Sequence, residues 1–246
     1  METNGSPIVV IKNLEKSFGK KEVLKGFNLT VNKGENVVVL GRSGEGKSVL
    51  IKCIVRLVDA DAGEINVLGI NMQNLKHGEL DIMRAKIGFL FQSSALYDSM
   101  TVGENLEFPL RRHRKKNVKY DVNQMVKEAL ESVGLNGTQE MSPAELSGGM
   151  RKRIGIARTL ILNPEVMLYD EPTTGLDPVT AREINHLMLD VQEKYKTSSI
   201  IISHDMNCVR MTANRVVVLI DGKCYAEGTY EDLKKSQDKY VKQFFD

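Results

Sequence analysis

Asn36-Val37-Val38-Val39-Leu40-Gly41-Arg42-Ser43-Gly44-Glu45-Gly46-Lys47-Ser48 is the stretch that decides the fold. A strand-like apolar run passes directly into a glycine-rich octapeptide, residues 41–48, that fits G-x-x-x-x-G-K-[ST] at every fixed position. Average residue usage gives this pattern about one chance in a hundred in a chain of 246 residues, so a fortuitous glycine turn is a weak rival. Gly41, Gly44 and Gly46 let main-chain N–H groups surround phosphate oxygens, and a helix starting near Lys47 turns its positive end toward them. Lys47 is placed to neutralise β- and γ-phosphates, and Ser48 to offer its hydroxyl to Mg²⁺.

Working outward, short β-branched runs alternate with helical patterns, as expected for strands buried on both faces of a mostly parallel sheet. Residues 8–11 and 27–31 predict antiparallel strands around the turn SFGKKEVLKG. Strands follow at residues 87–91, 166–170, 199–203 and 215–220, and Thr229 is placed to cap a late helix. Between Ser93 and about Leu162 the character becomes helical. Val122, Met125, Val126, Leu130 and Val133 recur on one face of a helix. The class is α/β: a parallel-sheet core at about residues 1–92 and 163–246, an antiparallel β-subdomain, and a helical subdomain inserted at about 93–162. No internal repeat or low-complexity linker divides these parts, so they are expected to fold as one domain.

Composition bounds the function. The chain is 41% hydrophobic and 27% charged with a net charge of only +2, so no global field holds it on nucleic acid or an anionic bilayer. Its apolar runs are of strand length, far short of the roughly 18 residues of a spanning helix. METNGSPIVV lacks a basic segment followed by an apolar core, so no export signal is read. Cys53, Cys208 and Cys224 show neither CxxC nor Cys/His ligand spacing, which favours reduced, structural thiols in the cytosol.

A second chemical element is Val166-Met167-Leu168-Tyr169-Asp170-Glu171, a strand ending in two carboxylates and closed by Pro172. Strand alternation predicts that the two acids face differently. Asp170 is placed to hold the Mg²⁺ shell, and Glu171 to orient or deprotonate the water that attacks the γ-phosphate. Taken alone, two acids at a strand end are as often an ordinary solvated edge; the phosphate loop tips the balance. His204 ends a third strand, SSIIIS, and open parallel sheets bind ligands at the carboxyl ends of their strands. A lone histidine is more often structural, yet this place predicts contact with the γ-phosphate or the water. Gln92, after residues 87–91, is equally ambiguous by itself.

Leu146-Ser147-Gly148-Gly149-Met150 is a second glycine-rich element. Ser147 can cap the helix that follows, Gly148 and Gly149 permit close main-chain approach, and Met150, Ile154, Ala157 and Ile161 form a buried stripe. One chain thus holds two phosphate-binding elements, which predicts a site completed by two copies facing each other.

Together and in this order, these residues resemble the ATP-binding subunits of ABC transporters over essentially the whole chain. GRSGEGKS resembles the Walker A loop, Gln92 the Q-loop, LSGGM the family signature, VMLYDE the Walker B strand, Gly175-Leu176-Asp177 the D-loop and His204 the switch histidine. The resemblance implies a RecA-like phosphate-loop NTPase fold working as a head-to-tail dimer, with two ATP molecules held between phosphate loop and opposing signature. The implied nucleotide-binding set is Phe18, Gly41, Arg42, Ser43, Gly44, Glu45, Gly46, Lys47, Ser48, Val49, Ser147, Gly148 and Gly149. The implied metal ligands are Ser48, Gln92 and Asp170, and the implied catalytic set is Glu171, His204, Gln92 and Lys47. Phe18 stands where the family places an aromatic residue to stack on adenine, keeping the ring without the tyrosine hydroxyl.

Met150 replaces the usual signature glutamine and resembles the branch that powers phospholipid trafficking, the Mla-type transporters of Gram-negative envelopes and their plastid relatives. The segment from Phe91 through Leu110 resembles that branch too. In the family it receives the coupling helix of the membrane partner, and Ala95, Leu96, Tyr97 and Met100 suit such a contact. The implied partners are a second copy of the chain, two transmembrane permease subunits, a lipid-binding substrate protein and a small regulatory subunit, at the cytoplasmic side of the inner membrane. The basic run of residues 111–116 reads as a solvated face or a lipid-headgroup contact. Three other readings share parts of the pattern: an ABC ATPase for another substrate, a soluble ABC ATPase acting on DNA or ribosomes, and a small-molecule phosphate-loop kinase. The second of these predicts tandem cassettes, a long coiled-coil insertion or a strongly basic face, none of which is read here, and the kinase leaves LSGGM and His204 unexplained.

Overall fold

The computed structural model describes residues 5–113 and 121–245. β1 (Pro7–Phe18) and β2 (Lys21–Asn32) pair antiparallel, each longer than its apolar sequence core. β3 (Asn36–Leu40) then leads through the glycine loop into α1 (Lys47–Ile54). β4 (Ala62–Val67) and β5 (Ile70–Asn71) extend the first hairpin into a four-stranded antiparallel sheet ordered β2-β1-β4-β5. α2 (His77–Ala85) follows, and β6 (Ile87–Leu90) returns to the central sheet. β4, β5 and α2 escaped the sequence reading because each is short and half exposed, so no apolar period emerges.

After β6, the described residues form no strand before Val166. They form α3 (Val102–His113), α4 (Val122–Ser132) and α5 (Gly148–Leu160). The Asp121 carboxylate caps α4 by accepting from Gln124 N–H at 3.0 Å, and Ser147 Oγ caps α5 by accepting from Met150 N–H at 3.2 Å. In the basic run, Arg111 pairs with Glu107 at 2.6 Å and Arg112 with Asp81 at 2.9 Å. Arg114, Lys115 and Lys116 lie outside the described residues.

β7 (Val166–Asp170), β8 (Ser198–Ser203), β9 (Arg215–Ile220) and β10 (Lys223–Gly228) complete the central sheet, with α6 (Pro178–Tyr195) and α7 (Met206–Thr212) between them, and α8 (Tyr230–Lys234) and α9 (Lys239–Lys242) are the last helices among the described residues. Strand order is β10-β9-β3-β8-β7-β6, all parallel except β10. The strands are continuously apolar because both faces are covered. Val38, Leu40, Met167, Tyr169, Ile201, Val216 and Val218 face the core shared with α3–α7. The intervening Val37, Val39, Val166, Leu168, Ile200, Ile202, Val217 and Leu219 face the core shared with α1, α2 and the antiparallel sheet.

The antiparallel sheet depends on one close approach. Asn13 adopts φ 48° and shifts the register of β1 on β4, which brings its backbone onto Gly63 at φ 90°. A Cβ at Gly63 would lie 2.3 Å from Asn13 O and 2.6 Å from Lys12 O, both rigid main chain. Gly63→Ala is therefore expected to cost about 2–4 kcal/mol. It would lower the thermal midpoint by roughly 5–15 °C, with hydrolysis per folded molecule preserved; a calorimetric scan showing no shift would refute this reading of the bulge.

Candidate functional site

Parallel pairing sets Leu40 opposite Ser203 and Ile202 opposite Asp170, while Leu90 lies beside Tyr169. The loops after β3, β6, β7 and β8 therefore leave one edge of the sheet. They surround a cavity of about 730 Å³. Its floor is the glycine loop. Gly46 caps α1 at φ 99°, and a Cβ there would strike Val23 Cγ1 at 2.6 Å; at Gly41 it would meet Leu219 O at 2.9 Å. Only glycine satisfies both demands. Lys47 is 7% exposed and donates from Nζ to Gly41 O at 2.8 Å and Arg42 O at 3.0 Å, with Glu171 Oε1 at 3.9 Å. Burial pulls its pKa down, opposed chiefly by the Glu171 carboxylate. This cation thus leans on neutral carbonyls and one distant carboxylate, an environment that favours an anion arriving in the cavity.

Ser48 Oγ donates to Asp170 Oδ1 at 2.9 Å, tying the first turn of α1 to the end of β7. Asp170 is buried, and burial raises its pKa despite the serine hydrogen bond. A hydroxyl and a carboxylate oxygen this close are the hard oxygen donors that suit Mg²⁺. Glu171 Oε2 lies 2.7 Å from His204 Nδ1 and accepts from Thr174 Oγ1 at 3.2 Å. The two acids diverge as expected, but not by strand alternation. Glu171 adopts φ 50°, a left-handed conformation that turns the chain out of the strand, and its N–H donates to Ile202 O at 2.9 Å. A non-glycine residue held there marks local strain that neighbouring contacts must maintain.

The cavity also gathers Phe18, Arg42, Ser43, Gly44, Val49 and Gln92. Phe18 closes β1 with half its surface exposed and the Lys16 ammonium 5.3 Å from its ring. Glu45 does not line the cavity; its carboxylate accepts from Arg42 N–H at 3.2 Å and shapes the loop. Sequence reasoning missed Lys21 and Val23 of β2, Met206 of α7, and Gln243 and Phe244 after α9. The Arg42 guanidinium donates to the Gln243 side chain. No local pattern announces such a contact across 201 positions.

Ser147, Gly148 and Gly149 do not line this cavity. They form the start of α5, with Ser147 and Gly148 exposed and Gly149 buried. The space beside Gly149 is used within the chain: a Cβ would fall 2.5 Å from Thr180 Cγ2, in the first turn of α6. Asp177 caps that turn by accepting from Val179 and Thr180 N–H, both at 3.0 Å. Met150 packs against the core beneath α5.

A parallel sheet whose strand ends present a glycine loop, a buried lysine, a serine–aspartate pair and a glutamate–histidine pair defines an ATP-hydrolysing phosphate-loop cassette. The ABC transporter family model matches residues 24–174. The chain belongs to the ABC transporter family and is an ATPase subunit within it. It is 37% identical over 245 residues to the probable ribonucleotide transport ATP-binding protein Mkl of Mycobacterium bovis, covering 98% of this chain and 68% of that protein. It is 37% identical over 239 residues to the intermembrane phospholipid transport system ATP-binding protein MlaF of Haemophilus influenzae, covering 96% of this chain and 89% of that one. Against the methionine import ATP-binding protein MetN of Rhizobium etli, identity is 39% over 221 residues, covering 90% and 61%. A dimeric ATP-binding cassette solved in a post-hydrolysis state with ADP and Pi superposes with a TM-score of 0.81 at 33% identity, covering 90% of this chain and 98% of that one.

The Asp170 environment predicts a pH effect. A carboxyl whose folded pKa lies above its unfolded value opposes folding once the unfolded chain ionises. The penalty is absent below about pH 3.9, grows as pH rises toward the folded pKa and is constant beyond it. Asp170→Asn keeps an acceptor for Ser48 and removes the charge. In chelator-treated protein it is expected to raise the thermal midpoint at neutral pH, the gain shrinking toward about pH 4; a lower midpoint at neutral pH would contradict this.

Proposed function

We propose that ATP binds with its phosphates on residues 41–48 of one copy and meets Ser147, Gly148 and Gly149 of a second, two such sites forming head to tail. Support comes from the separation of these elements: the cavity gathers the phosphate loop, and the exposed N-terminus of α5 stands outside it. Lys47 leaves its loop carbonyls for the β- and γ-phosphates. The adenine stacks on Phe18. Ser48, Asp170 and Gln92 hold Mg²⁺, which when bound neutralises charge on the phosphate oxygens. Glu171 orients and deprotonates the attacking water, and His204 holds the Glu171 carboxylate in place through the 2.7 Å contact. Gln92, just past β6, gives the segment beyond it a link to the γ-phosphate. ATP closes the pair, drawing the membrane subunits together, and hydrolysis resets it.

The cargo reading is phospholipid, moved between membranes of a Gram-negative-type envelope. The observation that carries it is the similarity to MlaF along nearly the full length of both chains, and the LSGGM of this chain resembles the same branch. Two permease subunits would dock at Ala95, Leu96, Tyr97 and Met100, where the Tyr97 ring packs 5.0 Å from Phe108, and a lipid-binding protein and a small regulatory subunit would join them. The chain would sit on the cytoplasmic side of the inner membrane through these partners; no described helix is long and apolar enough to cross a membrane. The similarity to MetN favours, as a second reading, an importer of a small solute.

Glu171→Gln is expected to bind ATP and to slow hydrolysis by roughly 10²–10⁴-fold; unchanged turnover would remove Glu171 from the role. Ser147→Arg is expected to leave nucleotide binding by the monomer intact and abolish ATP-dependent pairing, measured by light scattering in the Glu171→Gln background. Purification with the membrane subunits is expected to bring phospholipid, identified by mass spectrometry, whereas a co-purifying amino-acid-binding protein would select the solute reading.

A further inference from the structure

Lys152 lies five residues past the Ser147 cap, inside α5, and is 4% exposed. It shares a buried row with Gly149, Ile156 and Leu160, where an apolar side chain would pack without desolvating a charge. Its ammonium donates to two main-chain carbonyls, Gln92 O at 2.5 Å and Glu171 O at 3.3 Å. Burial lowers its pKa, opposed first by the Asp170 carboxylate and then by Glu171. One side chain thus bridges Gln92, two residues past the end of β6, and Glu171, the residue that follows β7.

The surroundings make this bridge stiff. A Cβ at Gly155 would lie 2.7 Å from Leu90 Cδ1 and 3.2 Å from Ser94 Cβ, so α5 rests directly on the end of β6. Arg158, further along the same helix, donates to Ser94 O at 2.9 Å and Ala95 O at 2.7 Å. α5 therefore carries the turn at residues 92–95 with it, through Lys152 at one end and Arg158 at the other. The left-handed backbone of Glu171 is held by its own N–H on Ile202 and by Lys152 and Thr174 N–H on its carbonyl, the last at 3.3 Å. Of these holds, Lys152 is the one contributed by the helix that Ser147 caps.

We propose that Lys152 is a positioning residue that makes the placement of Glu171 and Gln92 follow the placement of α5, so that engagement of the Ser147 end by a second copy is felt at the hydrolytic centre of the same chain. The inference rests on the reading of Glu171 as the water-activating group. A group that acts through Glu171 affects the chemical step more than nucleotide binding, and its loss adds little once Glu171 has been disabled.

The test is steady-state ATP hydrolysis by the full chain, alone and with its membrane subunits, with nucleotide affinity measured in parallel. Lys152→Met keeps the stem and removes the ammonium. It is expected to lower kcat by about 10- to 100-fold, the range for a small misplacement of reacting groups, with KM and affinity nearly unchanged. Lys152→Arg restores charge and donors and is expected to recover most of kcat. Lys152→Met combined with Glu171→Gln is expected to be no slower than Glu171→Gln alone. Wild-type kcat in Lys152→Met, or multiplicative losses in the double variant, would overturn the proposal. If Lys152→Met does not bind nucleotide, Lys152→Gln against Lys152→Arg makes the same comparison, and full turnover in Lys152→Gln is again the overturning result. Unchanged turnover in Glu171→Gln would instead bring down the assignment on which the inference rests.

Discussion

The register of β3, β8 and β7 is the constraint on which the site depends. With Leu40 opposite Ser203 and Ile202 opposite Asp170, a one-residue slip would carry Asp170 away from Ser48 and Glu171 N–H away from Ile202 O. Apolar patterning alone resists such a slip poorly, because both sheet faces are buried and every residue on these strands is acceptable to either core. Polar groups at the strand starts supply the missing specificity. Asn36 N–H donates to Asn214 Oδ1 at 2.8 Å and Asn36 Nδ2 to Gln192 Oε1 at 2.7 Å, while Gly34 N–H donates to Ser198 Oγ at 2.8 Å. Arg215 adds an ion pair to Glu35 at 2.8 Å. The amino edge of the sheet pins the register and the carboxyl edge spends it on chemistry.

That carboxyl edge is expensive to fold. Lys47, Lys152, Asp170 and Glu171 are all buried within one small volume, and burial works against the charge on the two lysines and on Asp170. The lysines lean mainly on carbonyl oxygens, which satisfy their protons without cancelling their charge. A site already neutralised by tight internal ion pairs would have little left to offer a polyphosphate. The incomplete pairing is what an incoming nucleotide exploits, and the stability it removes is made good by the two apolar cores on either side of the sheet.

The central strands were legible because a fully buried parallel strand is a short unbroken apolar run, and residues 36–40, 166–170 and 215–220 fall where the structure has β3, β7 and β9. The phosphate loop was legible because its glycines answer a local geometric demand that few other sequences meet. β4 and β5 were not, since paired edge strands with one exposed face leave little pattern. The left-handed turn at Glu171 was hidden as well: an acidic residue does not advertise a positive φ, and the alternation expected for a strand gave the right divergence for the wrong reason. Lys152 had a faint signal, a charged residue at an interior position of a helix buried on two rows, which the single stripe through Met150, Ile154, Ala157 and Ile161 obscured. Gln243 and Phe244 had none, because their meeting with the loop is purely tertiary.

The start of α5 shows why the second glycine-rich element stands apart from the cavity that holds the first. Any helix leaves its first N–H groups without partners inside the helix, and Ser147 Oγ satisfies Met150 N–H. Gly149 has surrendered its open side to Thr180, so its small size serves the contact between α5 and the Asp177-capped start of α6. What remains outward is Ser147 and the main chain at Gly148, both exposed and both outside the cavity that holds Lys47 and Glu171. Under the proposed head-to-tail pairing, an anion seated there would come from another molecule, and its arrival would reach Glu171 through α5, whose Lys152 grips the Glu171 carbonyl. In the proposed pairing, one helix would serve as receptor for a neighbour's phosphate at its end and as support for its own chain's carboxylate one and a half turns later.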